Sequence, residues 1–183
     1  MDNGAGSYRR FLDGDESAFD AIMQEHFHSL VFFINRYVQD AHAAEDLAID
    51  SLSDLLVHRH RYNFKVSLKT YLFMIGRSRA LDYIKRKKIV EFVSLADAEI
   101  LPDSGMTLEE TVLADLRKRT VTHAISQLPQ DMQEVIHLVY FEGLSYEETA
   151  KVMKKNRKQV DNLLYRGKKE LRILLGEEGE QLL

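Results

Sequence analysis

Apolar residues recur every three or four positions through most of the chain, and that spacing predicts helices rather than strands. Between Ser17 and Val38 they are Phe19, Ile22, Met23, Phe27, Leu30, Val31, Ile34, Tyr37 and Val38, the stripe of one long amphipathic helix with Asp15 or Ser17 as its N-cap. Asp40 can cap a second helix, through Ala44, Leu47, Ala48, Ser51, Leu52, Leu55 and Leu56. The polar stretch 58–65 breaks the pattern. Ser67 then opens a third helix through Leu68, Tyr71, Leu72, Ile75, Leu81 and Ile84, which ends in the run Lys85-Arg86-Lys87-Lys88. Three helices around one core make a first domain.

Residues 89–108 lose the periodicity and hold Pro102 and Gly105, so they read as a linker. A fourth helix is expected over about 108–127. Pro129 sits where a first-turn proline is tolerated, and opens a helix through Met132, Val135, Ile136, Val139 and Tyr140 that Gly143 ends. Ser145 and Glu148 have capping-box spacing, and the short helix they open reaches Met153. Asn156 and Gln159 repeat that logic for a last helix with Val160, Leu163, Leu164, Gly167, Leu171 and Leu174 on one face. A short capped helix, a tight turn and a longer capped helix with a basic outer face is the layout of a helix-turn-helix.

Charge sharpens this picture. Across 183 residues the net charge is only −4, which by itself argues weakly against a nucleic-acid binder. Its distribution argues the other way. Residues 61–88 carry nine basic residues against one acid, and 151–172 carry nine against two, whereas 89–116 hold seven acids and no base. Phosphate binding depends on local Lys/Arg density, so two basic blocks at corresponding places in two helical units point to DNA.

Several classes fall away. The chain has no Cys, which excludes disulfide frameworks, thiolate zinc sites and cysteine nucleophiles. No apolar stretch approaches a membrane span, and the N-terminus lacks the apolar core of a signal peptide, so no membrane insertion and a cytoplasmic location are expected. His26/His28 and His58/His60 are two apart and do not share a helical face, which speaks against a metal. The 4–7 Gly-Ala-Gly-Ser stretch lacks the spacing and Lys of a phosphate loop. With no catalytic motif and no cofactor motif, an enzyme is not expected.

Four segments together carry a resemblance: FLDGDESAF at 11–19, AEDL at 44–47, LKTYLFMIGR at 68–77, and LP at 128–129 leading to EGLSYEETA at 142–150. The chain resembles the extracytoplasmic-function group of bacterial RNA polymerase sigma factors over nearly its whole length. The resemblance implies an all-α protein of two small helical domains, a three-helix sigma region 2 over 1–88 and a helix-turn-helix sigma region 4 over 108–183, joined by an acidic linker over 89–107. It implies a transcription initiation factor that binds core RNA polymerase and directs it to promoters by reading a −35 element as duplex and a −10 element as melted DNA. Core polymerase (through its β′ clamp helices and β flap), promoter DNA and an anti-sigma factor are the implied partners.

Residue by residue, the resemblance places −35 readers at Asp161, Asn162, Tyr165 and Arg166, beside Lys158 on the outer face of the last helix. Lys154, Lys155, Arg157, Lys168 and Lys169 have the chemistry of phosphate contacts, which set salt dependence rather than sequence. For melted −10 DNA, Asn63, Phe64, Lys65, Lys69, Tyr71, Arg77, Ser78, Lys85 and Arg86 supply cations and aromatic or hydrogen-bonding side chains. The second helix, with Glu45, Asp46, Leu47, Asp50, Ser51 and Asp54, would meet the β′ clamp helices. Family members often have Lys or Arg where Asp161 stands, Trp at Tyr71 and Asn at Ser78, so base preference here is expected to be unusual. The alternative is a stand-alone helix-turn-helix regulator whose N-terminal domain dimerises or senses a ligand.

Overall fold

The computed structural model describes residues 5–94 and 114–176, and every regular element among them is helical. Among the described residues the first domain has four helices, not three. Besides α2 (Ser17–Val38), α3 (Ala41–Val57) and α4 (Leu68–Ser94), a short α1 (Ala5–Leu12) packs on α2. Its polar sequence hides two core residues: Tyr8 is fully buried and Phe11 nearly so. The Tyr8 hydroxyl donates to the Leu55 and Arg59 carbonyls at 3.1 and 2.9 Å, fastening α1 across the end of α3.

Elsewhere the local rules hold. Asp40 caps α3 by accepting from the Ala43 N–H at 3.1 Å. At the start of α2 no side chain caps the helix from position 16, and Asp15 instead accepts from the Ser17 hydroxyl at 2.6 Å. The α2 stripe buries Ile22, Leu30, Phe33 and Ile34 against α3 and α4. Helix α4 runs past the basic run to Ser94, because Ile89-Val90-Glu91-Phe92-Val93 contains no breaker. The remainder of the acidic linker, 95–107, lies outside the described residues.

The second domain comprises α5 (Ala114–Ser126), α6 (Gln130–Ile136), α7 (Tyr146–Met153) and α8 (Arg157–Leu175). Pro129 caps α6 from just outside, with φ −53° and ψ 144°, rather than sitting in its first turn. The helix expected to run through Tyr140 changes hydrogen-bonding pattern at His137, where a π-helical turn, His137–Phe141, takes over. The added residue per turn lets His137 and Leu138 both face inward while Tyr140 and Phe141 stay exposed. Gly143, at φ +67°, then turns the chain toward α7.

The two domains are packed together, and their buried apolar residues form one continuous cluster. Helix α4 lies against α7, and the π turn reaches α2.

Candidate nucleic-acid interface

Both halves of the helix-turn-helix carry the boxes that their sequence announces. Ser145 accepts from the Glu148 N–H at 3.2 Å while Glu148 accepts from the Ser145 N–H at 3.0 Å. Asn156 and Gln159 exchange the same pair of bonds at 2.9 and 2.8 Å. Each box satisfies two N–H groups at a helix start, worth about 0.5–2 kcal/mol by analogy with other caps. Lys154 takes a left-handed conformation, φ 54°, that ends α7 and sets the angle of α8.

On α8, Val160, Leu164, Gly167 and Leu171 are buried against α6 and α7. Gly167 lets α6 and α8 approach closely, and a Cβ there would stand 3.0 Å from Ile136 Cδ1, which would have to shift by a few tenths of an ångström. The opposite face presents Lys158, Asp161, Asn162, Tyr165, Arg166 and Lys169, all exposed, at spacings of three and four that place them on one side of the helix. Tyr165 is 71% exposed, an unusual position for a large ring. The phosphate candidates divide. Lys154 is exposed, but Lys155 pairs with Asp131 at 3.0 Å, Arg157 with Glu147 at 2.8 Å, and the Lys168 ammonium lies 5.1 Å from the Tyr140 ring centre.

Apart from Ser78, the residues proposed for melted DNA separate into three groups. Asn63, Lys65, Lys85 and Arg86 are exposed. Phe64 and Tyr71 join an aromatic cluster with Tyr62, at ring-centre distances of 4.7 and 5.1 Å, and Arg9 covers Phe64. Phe64 also holds a strained left-handed backbone, φ 61°. Ser78 is half-buried midway along α4.

Lys69 and Arg77, two turns apart on α4, form the third group and point into the seam between the domains. The Lys69 ammonium donates to the Glu142 carbonyl at 2.7 Å and lies 2.9 Å from its carboxylate. Arg77 donates Nε to Glu134 at 2.7 Å, with Nη2 3.4 Å from the other oxygen. Glu148, already in its capping box, accepts from Ser67 at 2.9 Å and Thr70 at 3.0 Å. Burial works against each of these charges, yet the partners prevail: Arg77 is held above its ordinary pKa by Glu134, and Glu142 and Glu148 below theirs by the hydrogen bonds they receive. None of these acids is among the candidate site residues read from the sequence. In the sequence Glu148 stands out as half of a capping box and Glu142 as the first residue of the 142–150 segment, each for another role.

His137 completes the seam. Its ring stacks between Phe33 and Phe141, with Phe32 alongside, and Nε2 lies 3.1 Å from Glu142.

On α3, Glu45, Asp46 and Asp50 are exposed around Ile49 and Leu47 is half-buried. Asp54 is drawn inward by Arg61 and Arg79, both at 3.5 Å. Ser51 does not lie on this face: it is fully buried, and its hydroxyl donates to the Leu47 carbonyl at 2.6 Å.

A family model described as sigma-70 region 2 matches residues 22–89, and one described as sigma-70, region 4 matches 118–171. The RNA polymerase sigma-H factor of Pseudomonas aeruginosa is 32% identical over 154 residues, 79% of this chain and 79% of its own. The ECF RNA polymerase sigma factor SigM of Bacillus subtilis is 26% identical over 159 residues, 85% of this chain and 93% of its own. Among solved structures, the sigma factor RpoE of Bartonella quintana, in complex with the anti-sigma factor NepR, matches with a TM-score of 0.72 at 20% identity, over 87% of this chain and 98% of that one. CnrH, solved with the cytosolic domain of CnrY, matches with a TM-score of 0.63 at 18% identity, over 94% of each chain. These two likenesses show the fold, and the sequence matches go further. With a region 2 and a region 4 in the right order and relatives aligned across most of their length, the chain belongs to the extracytoplasmic-function group of RNA polymerase sigma factors.

Proposed function

We propose that this chain is a transcription initiation factor that binds core RNA polymerase and directs it to promoters with a −35 and a −10 element. The observation that carries the −35 assignment is the outer face of α8, where Lys158, Asp161, Asn162, Tyr165 and Arg166 stand exposed behind two well-formed capping boxes. A helix so presented fits a major groove, with Asn162 and Arg166 suited to purine edges and Asp161 to cytosine N4. Lys154 and Lys169 track phosphates. Asn63, Lys65, Lys85 and Arg86 form the open part of the −10 surface, and Lys69 and Arg77 extend it when the seam parts.

The acidic face of α3, Glu45, Asp46 and Asp50 with Ile49 at its centre, has the composition to meet a basic, partly apolar helical surface on the polymerase. The sigma factor RpoE, which shares this fold, is solved with an anti-sigma factor, and we carry that partner class over to this chain. No described helix is long and apolar enough to cross a membrane. A cytoplasmic, non-enzymatic role follows from this reading. The stand-alone regulator is not favoured, because the first domain matches sigma-70 region 2.

Run-off transcription with core polymerase from the source bacterium, on pooled genomic fragments, tests the proposal. Discrete starts that require the protein and share two upstream elements are expected. DNA shifted by the protein alone, with no new starts, would instead establish a stand-alone regulator.

A further inference from the structure

We propose that the second domain masks the melted-DNA surface of the first with its own carboxylates, so that Glu134, Glu142 and Glu148 act as an internal substitute for the phosphates of the −10 strand. The inference rests on the sigma reading and on Lys69 and Arg77 belonging to the −10 surface.

Three acids from three places in the second domain converge on one side of α4 and the turn before it. Glu134 comes from α6, Glu142 from the end of the π turn and Glu148 from the first turn of α7. They meet a guanidinium, an ammonium and a pair of hydroxyls, the groups that would otherwise bind a phosphate backbone. The carboxylates are not solvated rim charges: the Glu134 side chain is 2% exposed and Glu142 7%. Arg36 adds a bond to Gln133 at 3.2 Å, and His137 stacks on Phe33, so polar and apolar contacts close the seam together. While it is closed, Lys69 and Arg77 are held by Glu142 and Glu134 and are not free to pair with phosphates. A ligand that needs those cations must therefore separate the domains, and the open form becomes the binding-competent one.

The full chain has no Cys, so Asp20→Cys/Glu170→Cys, both exposed positions on different domains, gives a donor–acceptor pair for measuring interdomain distance by energy transfer. In that background Glu134→Gln/Glu142→Gln keeps side-chain volume and removes the charge. We expect lower transfer efficiency and about tenfold tighter binding of a mixed-sequence single-stranded oligonucleotide pool, a coupling of ordinary size. Lys69→Glu/Glu142→Lys reverses one pair and is expected to restore high transfer, which also guards against the Gln variant simply failing to fold. Unchanged transfer and affinity in the Gln variant, or low transfer in the reversed pair, would overturn the latch. Lower transfer with unchanged oligonucleotide affinity would overturn the masking. Failure of the sigma reading itself is separate: parent and variants alike would then give no core-dependent run-off starts.

Discussion

Glu142 holds Lys69 twice, through its carbonyl at 2.7 Å and its carboxylate at 2.9 Å, so one residue at the end of the π turn saturates one cation of the first domain. The carbonyl is available because the helix ends there, and helix ends leave carbonyls in want of donors. Lys69 therefore neutralises a nearly buried carboxylate and caps a backbone acceptor at once. Removing it leaves Glu142 with His137 alone. Lys69→Met is expected to cost about 2 kcal/mol, below the full penalty for breaking a buried pair because the lysine retains some solvent. Lys69→Met/Glu142→Leu should recover most of that loss. Urea titrations of the three proteins give the answer, and a double variant no more stable than Lys69→Met would show that the pair is not the source.

The seam should also be sensitive to acid. Burial pushes the pKa of His137 and of His26 below the ordinary 6.5, so both are neutral when the protein is folded near neutral pH. Glu142, Lys69 and Arg36 face His137, and Glu25, Lys69 and Glu142 face His26. The unfolded chain takes up protons at these sites near pH 6.5 and the folded chain only lower. Stability contributed by the neutral rings is thus fully present above about 6.5 and declines as pH falls below it. Glu142, held below its ordinary 4.5 by His137 and Lys69 in spite of burial, adds a further loss below that value. Melting temperature should fall from pH 7 to pH 5, and His137→Gln should flatten the fall in part, His26 keeping the rest. An unchanged slope would remove His137 from the account.

Helix α3 separates a residue that only looks available from those that are. Ser51 shares the stretch with Glu45, Asp46 and Asp50, but its hydroxyl is spent on Leu47 inside the domain. Ser51→Ala should leave affinity for core polymerase unchanged. Asp46→Arg, which places a like charge against a basic partner surface, should lower that affinity by about tenfold. Fluorescence titration of labelled protein with core enzyme distinguishes them, and equal effects would mean that the acidic face is not the contact.

How far the sequence reached depended on the range of the interaction. The capping boxes at Ser145 and Asn156 were legible because both partners lie three residues apart, and the outer face of α8 because a buried stripe fixes what faces away. Helix α1 was not, since Tyr8 and Phe11 are two apolar positions in a polar segment and their partners, Leu55 and Arg59, are remote in sequence. The π turn left no trace either: Val139 and Tyr140 continue the expected stripe, and the contact that His137 makes there, with Phe33, is remote in sequence. The seam lay furthest from view. Nothing local in the sequence pairs Glu142 with Lys69 or Glu134 with Arg77, more than fifty positions apart, until folding brings them together.

The cations around α8 are chemically alike and should not behave alike on DNA. Lys169 and Lys158 are exposed, whereas Lys155 must leave Asp131, 3.0 Å away, before it can meet a phosphate. A cation that exchanges one anion for another releases fewer counterions than one taken from bulk solvent. Lys169→Ala should therefore reduce the slope of log affinity against log salt by about one, and lower affinity evenly across promoter sequences. Lys155→Ala should change the slope less. Tyr165→Ala should differ from both: the ring is exposed, so stability should hold within about 0.5 kcal/mol, while binding falls selectively at the base pairs it faces. Filter-binding across salt on a panel of single-base −35 variants reads all three. Equal slopes for Lys155→Ala and Lys169→Ala would show that the Asp131 pair does not compete with DNA, and an even loss for Tyr165→Ala would make the ring a positioning contact rather than a reader.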